Sequence, residues 1–226
     1  MLVLNWMSRN VITIDVDDSL HTAIKLLKKY KIRSLPVMKD RKLVGIVSNG
    51  DIKRASASDA TSLDIHEILY LIDKIKISDI MTKKPVTVLS SLTVDEVAEI
   101  LLEKNISSAP VIDENNDVIG IITRSDILKV LIHLTGVERR GVDFGLKVKD
   151  EPGSIKGLTD IIRAHNGRIA SILISYEQVV VGYRNVFIRV YQTDRKTLDH
   201  LKSELFRNSH MLYIIDHLEQ KREIFN

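Results

Sequence analysis

The sequence predicts a mixed α/β (α+β) chain: two tandem copies of a strand, helix, strand, strand, helix unit arranged as a pseudo-twofold pair, then a βαββαβ unit. Three observations carry this. The phrase Gly45-Ile46-Val47-Ser48-Asn49-Gly50-Asp51-Ile52 returns as Gly120-Ile121-Ile122-Thr123-Arg124-Ser125-Asp126-Ile127. Met7 and Met81, Thr13 and Thr87, Ser34 and Ser108, and Pro36 and Pro110 stand 74 apart, while Ser48 and Thr123 stand 75 apart, so one residue separates the turn at 39–42 from its counterpart at 113–117. Matched chemistry at a fixed offset marks a duplicated supersecondary unit. After Gly136 the order of apolar patterns changes.

In the first copy, Val11 to Ile14 is a short β-branched strand. Ser19 caps a helix whose apolar residues Leu20, Ala23, Ile24, Leu27 and Tyr30 recur at helical spacing. Leu35 to Met38 and Leu43 to Val47 form paired strands across a polar turn, and a helix opens near Ser48. The second copy repeats this order with Val86 to Val88, a helix capped by Thr93 with Glu96 three residues on, Ala109 to Ile112, Val118 to Ile122, and a helix from Thr123. Between the copies, Ser56, Ser58, Thr61 and Ser62 lead into an amphipathic helix marked by Ile65, Ile68, Leu69 and Ile72. In the last third, Phe144, Leu146 and Val148 alternate, and Ile155, Leu158, Ile161 and Ile162 form a helical face. Ile169 to Ile174 and Val186 to Val190 are β-rich, and Leu198, Leu201 and Leu205 form a second helical stripe before Met211 to Ile215. This is the ferredoxin-like order. The expected boundaries are 1–55, a linker helix at 56–78, 79–135 and 136–226.

Composition narrows the chemistry. At 226 residues with 44% hydrophobic and 28% charged residues, the chain can bury a real core. It has no cysteine, so disulfides, cysteine-ligated metals and thiol catalysis are excluded. Its 33 basic and 30 acidic residues are interspersed, which argues against nucleic-acid binding. No run is apolar and long enough for a membrane span or signal peptide, so a cytoplasmic protein is expected. The seven histidines are dispersed without metal-binding spacing, and neither a nucleophile elbow nor a Walker loop is present, so no enzymatic activity and no metal requirement are expected.

The repeated phrase has two readings. A strand running into a helix N-terminus presents unpaired N–H groups and the positive end of the helix dipole, which suit an anion. Ser48 or Thr123 could add a bond to phosphate, and Asp51 or Asp126 suits ribose hydroxyls. Val11, Ile12, Leu35 and Val47, or Val86, Ala109 and Ile122, would wall a flat base. Equally, Ser48 to Asp51 and Thr123 to Asp126 match the helix-start pattern [ST]-x-x-[DE], and the pair could do no more than cap. Arg124, with Lys83 and Lys84 near in sequence, favours the second copy for phosphates.

Residues 6–55 and 79–132 resemble a tandem pair of CBS domains through Met7-Ser8 and Met81-Thr82, Ser34-Leu35-Pro36-Val37 and Ser108-Ala109-Pro110-Val111, and the two Gly-Ile phrases. The resemblance implies a regulatory module holding AMP, ADP, ATP or S-adenosylmethionine in clefts between the copies. It extends the candidate site to Ser48, Asp51, Thr123, Arg124 and Asp126 with Val11, Leu35, Pro36, Thr82, Pro85, Val86, Ala109 and Pro110. The run from Val148 to Ile155, with Asn166-Gly167, resembles an ACT domain, a fold that often binds amino acids between two copies. That implies a homodimer and a second site at Asp150, Gly153, Arg168 and Ile169, with Arg168 standing where amino-acid-binding members often carry asparagine. A CBS pair followed by an ACT domain is similar to the acetoin-utilisation regulatory proteins, which implies an unidentified regulated protein as partner. The other class is a structural or adaptor homodimer that recruits another chain without a nucleotide.

Overall fold

The computed structural model describes residues 1–57 and 72–225. The expected amphipathic helix between the repeats, with Ile65, Ile68 and Leu69, lies outside the described residues. Contacts divide the chain into two units, Met1–Leu128 and Lys129–Asn226.

The first unit holds both repeats. Its elements are β1 (Ile14–Asp15), α1 (Leu20–Tyr30), β2 (Ser34–Lys39), β3 (Lys42–Ser48), α2 (Asn49–Ala57), α3 (Ile77–Ile80), β4 (Thr82–Lys83), β5 (Val88–Leu89), α4 (Val94–Glu103), β6 (Ser108–Ile112) and β7 (Val118–Thr123), and it ends within α5 (Arg124–Leu134). The two helix starts follow their caps. Ser19 Oγ accepts the N–H of Thr22 at 3.3 Å, and the carboxylate of Glu96 accepts the N–H of Thr93 at 2.7 Å in a reciprocal capping box. Leu20, Ala23 and Leu27 on α1, and Val94, Val97 and Leu101 on α4, turn inward. Tyr30, expected on the apolar face, is exposed, with the ammonium of Lys29 over its ring.

One sheet has the order β1-β2-β3-β4 and the other β5-β6-β7; β1 and β5 run parallel to their neighbours and the remaining pairs are antiparallel. The expected strands at Val11 to Ile14 and Val86 to Val88 shrink to β1 and β5. Parallel pairing starts at Val37 and Val111, the residues after Pro36 and Pro110, which have no N–H to give.

The sequence gives no hint of how the segments leading into each repeat are exchanged. Val3 is fully buried in the core of the second repeat beside Val97, Leu101 and Ile122, and Ile77 is fully buried in the core of the first beside Leu20, Leu35 and Val47. The N–H of Val3 donates to Leu92 O and that of Ile77 to Asp18 O, both at 2.9 Å; Leu20 N donates to Ile75 O and Val94 N to Met1 O, both at 2.8 Å. Ser8 pairs with Ile121 on β7, while β4 pairs with β3 through Thr82 and Ile46. Gly45 and Gly120 make this exchange possible, because a Cβ on either would collide with the sulfur of Met81 or Met7. At the pseudo-axis, the buried hydroxyls of Ser34 and Ser108 are 2.8 Å apart.

The second unit contains β8 (Val142–Lys149), α6 (Ser154–Ala164), β9 (Arg168–Ser175), β10 (Tyr183–Tyr191), α7 (Arg195–Asn208), β11 (His210–Asp216) and β12 (Lys221–Ile224). The order β12-β11-β8-β10-β9 is antiparallel throughout. Without β12 this is the expected strand, helix, strand, strand, helix, strand connectivity. The strand β12 is unexpected, since Lys221-Arg222-Glu223-Ile224 has no apolar alternation and lies at an edge. Phe144 and Leu146 from β8, Leu158 and Ile162 from α6, and Leu201 and Leu205 from α7 fill one core. On the other face of the sheet, Gly145 leaves room for the Tyr213 ring, which stacks on Phe187 with centroids 6.1 Å apart.

Asp216 anchors the end of β11. Burial alone would raise its carboxyl, but the Arg195 guanidinium and the N–H groups of Glu219 and Leu218 outweigh it and hold the pKa at about 2, below the ordinary 3.8. A pKa depressed in the folded state stabilises above the unfolded value and loses that contribution as the pH falls through the folded one. The shift corresponds to about 2 kcal/mol. In urea titrations followed by circular dichroism, Asp216→Asn should therefore be less stable than wild type by about 2 kcal/mol near neutral pH, and the gap should close between about pH 4 and 2. For the axial hydroxyls, Ser34→Ala or Ser108→Ala alone should cost about 1–3 kcal/mol by orphaning the other, and the double variant should cost clearly less than the sum.

Candidate functional site

Each repeated phrase is a strand end, a hydroxyl residue and the first turn of a helix. Ser48 closes β3 opposite Ser34 on β2, and Thr123 closes β7 opposite Ser108 on β6. Opposed residues of an antiparallel pair share a face. With Ser34 touching Ser108, the row Ser48, Ser34, Ser108, Thr123 therefore runs through the pseudo-axis and brings both phrases together.

The geometry within each phrase is that of a cap. Asp51 Oδ2 accepts from Ser48 N at 2.8 Å and from Ser48 Oγ at 2.6 Å, and Ser48 Oγ accepts from Asp51 N at 3.4 Å. In the second copy the corresponding distances are 3.0, 2.7 and 3.2 Å. Both carboxylates are buried, 7% exposed for Asp51 and 5% for Asp126, and such burial is sustained by these bonds. Each hydroxyl has given its one proton to the aspartate. It retains acceptor capacity and must rotate away before it can donate to a phosphate. Asp51 Oδ1 is further engaged by the Arg54 guanidinium.

The remaining candidates fall into three groups. Leu35, Val47, Ala109 and Ile122, expected as open walls for a base, are fully buried core residues; with 0% exposure none presents a surface to a ligand here. Pro36 and Pro110 are likewise buried on their strands. Val11, Ile12, Pro85 and Val86 are half-buried beside the points where parallel pairing stops, so these are the apolar residues with accessible surface. Arg124, expected to favour phosphate at the second copy, is engaged within its own repeat. Its Nη2 donates to Leu101 O at 3.3 Å and to Asn105 Oδ1 at 3.4 Å, at the negative end of α4. Thr82 and Lys83 form β4 on the sheet of the first repeat, and Lys84 N donates to Val44 O at 3.4 Å, so pairing ties these lysines to the first repeat and not to the sheet that carries Thr123. Sequence spacing alone cannot see this, because the exchange of leading segments reverses which repeat they join.

In the second unit, Gly153 has φ +91° and opens α6, as a tight strand-to-helix turn requires. The turn is occupied from inside the fold. Arg184 from β10 donates to Ser154 Oγ at 2.9 Å and pairs with Asp150 at 3.2 Å, so the anion position expected at this helix start faces a resident guanidinium already held by Asp150. Sequence reasoning missed Arg184, which carries no motif. Arg168 is exposed at the start of β9, and Ile169 packs against the core. Among the described residues, no cluster of three or more histidine, aspartate or glutamate side chains could hold a metal, and no helix is long and apolar enough to cross a membrane.

Comparison with known proteins matches residues 3–58 and 77–133 to the CBS domain family. A CBS domain-containing protein of Dictyostelium discoideum is 35% identical over 133 residues, covering 58% of this chain and 92% of its own length. Inosine-5'-monophosphate dehydrogenase of Korarchaeum cryptofilum is 32% identical over 123 residues, but only 23% of that enzyme is covered. Among solved structures, the CBS domain pair of protein MJ0100 in complex with 5'-methylthioadenosine and S-adenosyl-L-methionine is 33% identical with a TM-score of 0.50, covering 58% of this chain and 95% of that one. With half the sequence matched, in two blocks that each hold one copy of the phrase, the chain belongs to the CBS domain family.

Proposed function

We propose that this chain is a regulatory sensor of adenosine-containing ligands, with AMP, ADP, ATP and S-adenosylmethionine as the candidates, and that it carries out no catalysis of its own. The observation that carries the reading is the convergence of two hydroxyl-aspartate helix starts on one buried hydroxyl pair. The related pair bound to 5'-methylthioadenosine and S-adenosyl-L-methionine supports the ligand class. In this reading Asp51 and Asp126 receive ribose hydroxyls, and the helix starts after Ser48 and Thr123 receive phosphate or another charged group. Val11 and the Thr82 to Val86 segment, which keep accessible surface, border the base. A ligand that favours one arrangement of the two repeats would shift the population toward it. The boundaries 1–55, 56–78, 79–135 and 136–226 belong to the same proposal. So do an ACT-type role for the last segment, with an amino-acid site near Asp150, Gly153, Arg168 and Ile169, and a cytoplasmic homodimer acting on another protein. Kinship with the acetoin-utilisation regulators is the pathway it suggests.

Because both aspartates also cap helices, loss of binding must be separated from loss of structure. Asp126→Ala deletes the acceptor for Thr123 and should cost about 1–2 kcal/mol of stability in urea unfolding, whereas Asp126→Asn keeps an acceptor and should cost less. Titration calorimetry with the four candidate ligands should give saturable heat with at least one. Asp51→Asn or Asp126→Asn should weaken it by at least about tenfold, the loss of one charge-assisted bond. Absence of heat from all four at millimolar concentration defeats the sensor reading.

A further inference from the structure

On the sheet face of the second unit opposite α6 and α7, Arg189 donates Nε and Nη2 to the two oxygens of Asp143, each at 2.6 Å, and His217 Nε2 lies 2.8 Å from Asp143 Oδ2. Arg189 and His217 border a cavity of about 490 Å³ completed by Arg140, Arg222, Gln220 and Asp216 with the apolar Val137 and Ile215. Its charges do not cancel. Arg189 is neutralised by Asp143 in a bidentate pair. Asp216, the one carboxylate in the lining, is consumed elsewhere: Arg195 grips both its oxygens, and Oδ1 also accepts from Leu218 N at 2.9 Å and Glu219 N at 3.1 Å. Glu219 is itself 3.6 Å from Arg195, and Glu223 is claimed by Lys202 and Lys221. That leaves Arg140 and Arg222 on the cavity with no carboxylate partner among the described residues.

Two uncompensated guanidiniums beside a cavity of metabolite size are matched by a ligand carrying two negative charges. Guanidinium presents paired donors that fit oxyanions, and Gln220 adds amide N–H donors at the same wall. An apolar ligand would have to strip water from these charges without replacing it. We infer that this cavity is a binding site for a small dianion, a phosphate monoester or a dicarboxylate, held by Arg140 and Arg222. Arg189, held by Asp143 in a bidentate pair, lines the same cavity as a positioning residue. The site lies wholly within the second unit, so its fate is independent of the adenosine-ligand reading.

The test is titration calorimetry of the full chain with inorganic phosphate and, separately, malonate. Saturable binding of either probe is expected, weakened about tenfold or more by Arg140→Ala and by Arg222→Ala, each of which removes a charge-assisted contact. Both substitutions are of cavity-lining side chains with no internal partner, so thermal melts should be unchanged. Asp126→Asn should leave the binding intact. Binding of phosphate alone identifies a phosphate ligand, and binding of malonate alone a carboxylate. No saturable heat from either probe at tens of millimolar, affinity unchanged in both arginine variants, or loss of binding in Asp126→Asn would each overturn the assignment.

Discussion

Neither repeat can complete its core from its own residues. Val3, ahead of the first repeat, fills the second, and Ile77, ahead of the second, fills the first. Removing either side chain from water is worth roughly 1.5–3 kcal/mol, a large part of the stability of a domain whose net margin is about 5–15 kcal/mol. Everything at the candidate site depends on this exchange. It brings Met7 and Met81 onto Gly120 and Gly45, fixes the spacing of the two sheets, and so brings Ser34 within reach of Ser108.

The exchange also reinterprets which residues can serve a ligand. Fully buried Leu35, Val47, Ala109 and Ile122 build the walls that hold the phrases in place, while the half-buried residues beside the ends of the parallel ladders keep a face open. A cap that is also a ligand site couples two demands on one carboxylate. The bonds that sustain the burial of Asp51 and Asp126 are the same bonds that orient them.

Local order was plainly legible in the sequence. Helical spacing of Leu20, Ala23 and Leu27, the capping box at Thr93 and Glu96, and the alternation of Phe144, Leu146 and Val148 all reappear, because each depends on residues a few positions apart. What was illegible depends on distant partners. The lysines at 83 and 84 join the first repeat, Arg124 turns to the end of α4, and Arg184 fills the turn before α6, each decided by residues about 20 to 40 positions away. The edge strand β12 escaped for a different reason: with its side chains largely in water it carries no hydrophobic period.

The contact between Ser34 and Ser108 has a property that two apolar side chains on an axis would lack. A hydroxyl has one proton, so in a bond between two like hydroxyls one must give and the other receive. The duplicated module is therefore never perfectly symmetric. It holds a polarity that can point toward either phrase, and reversing it takes a rotation of both hydroxyls. The two halves of the pair therefore share a single proton-ordering choice.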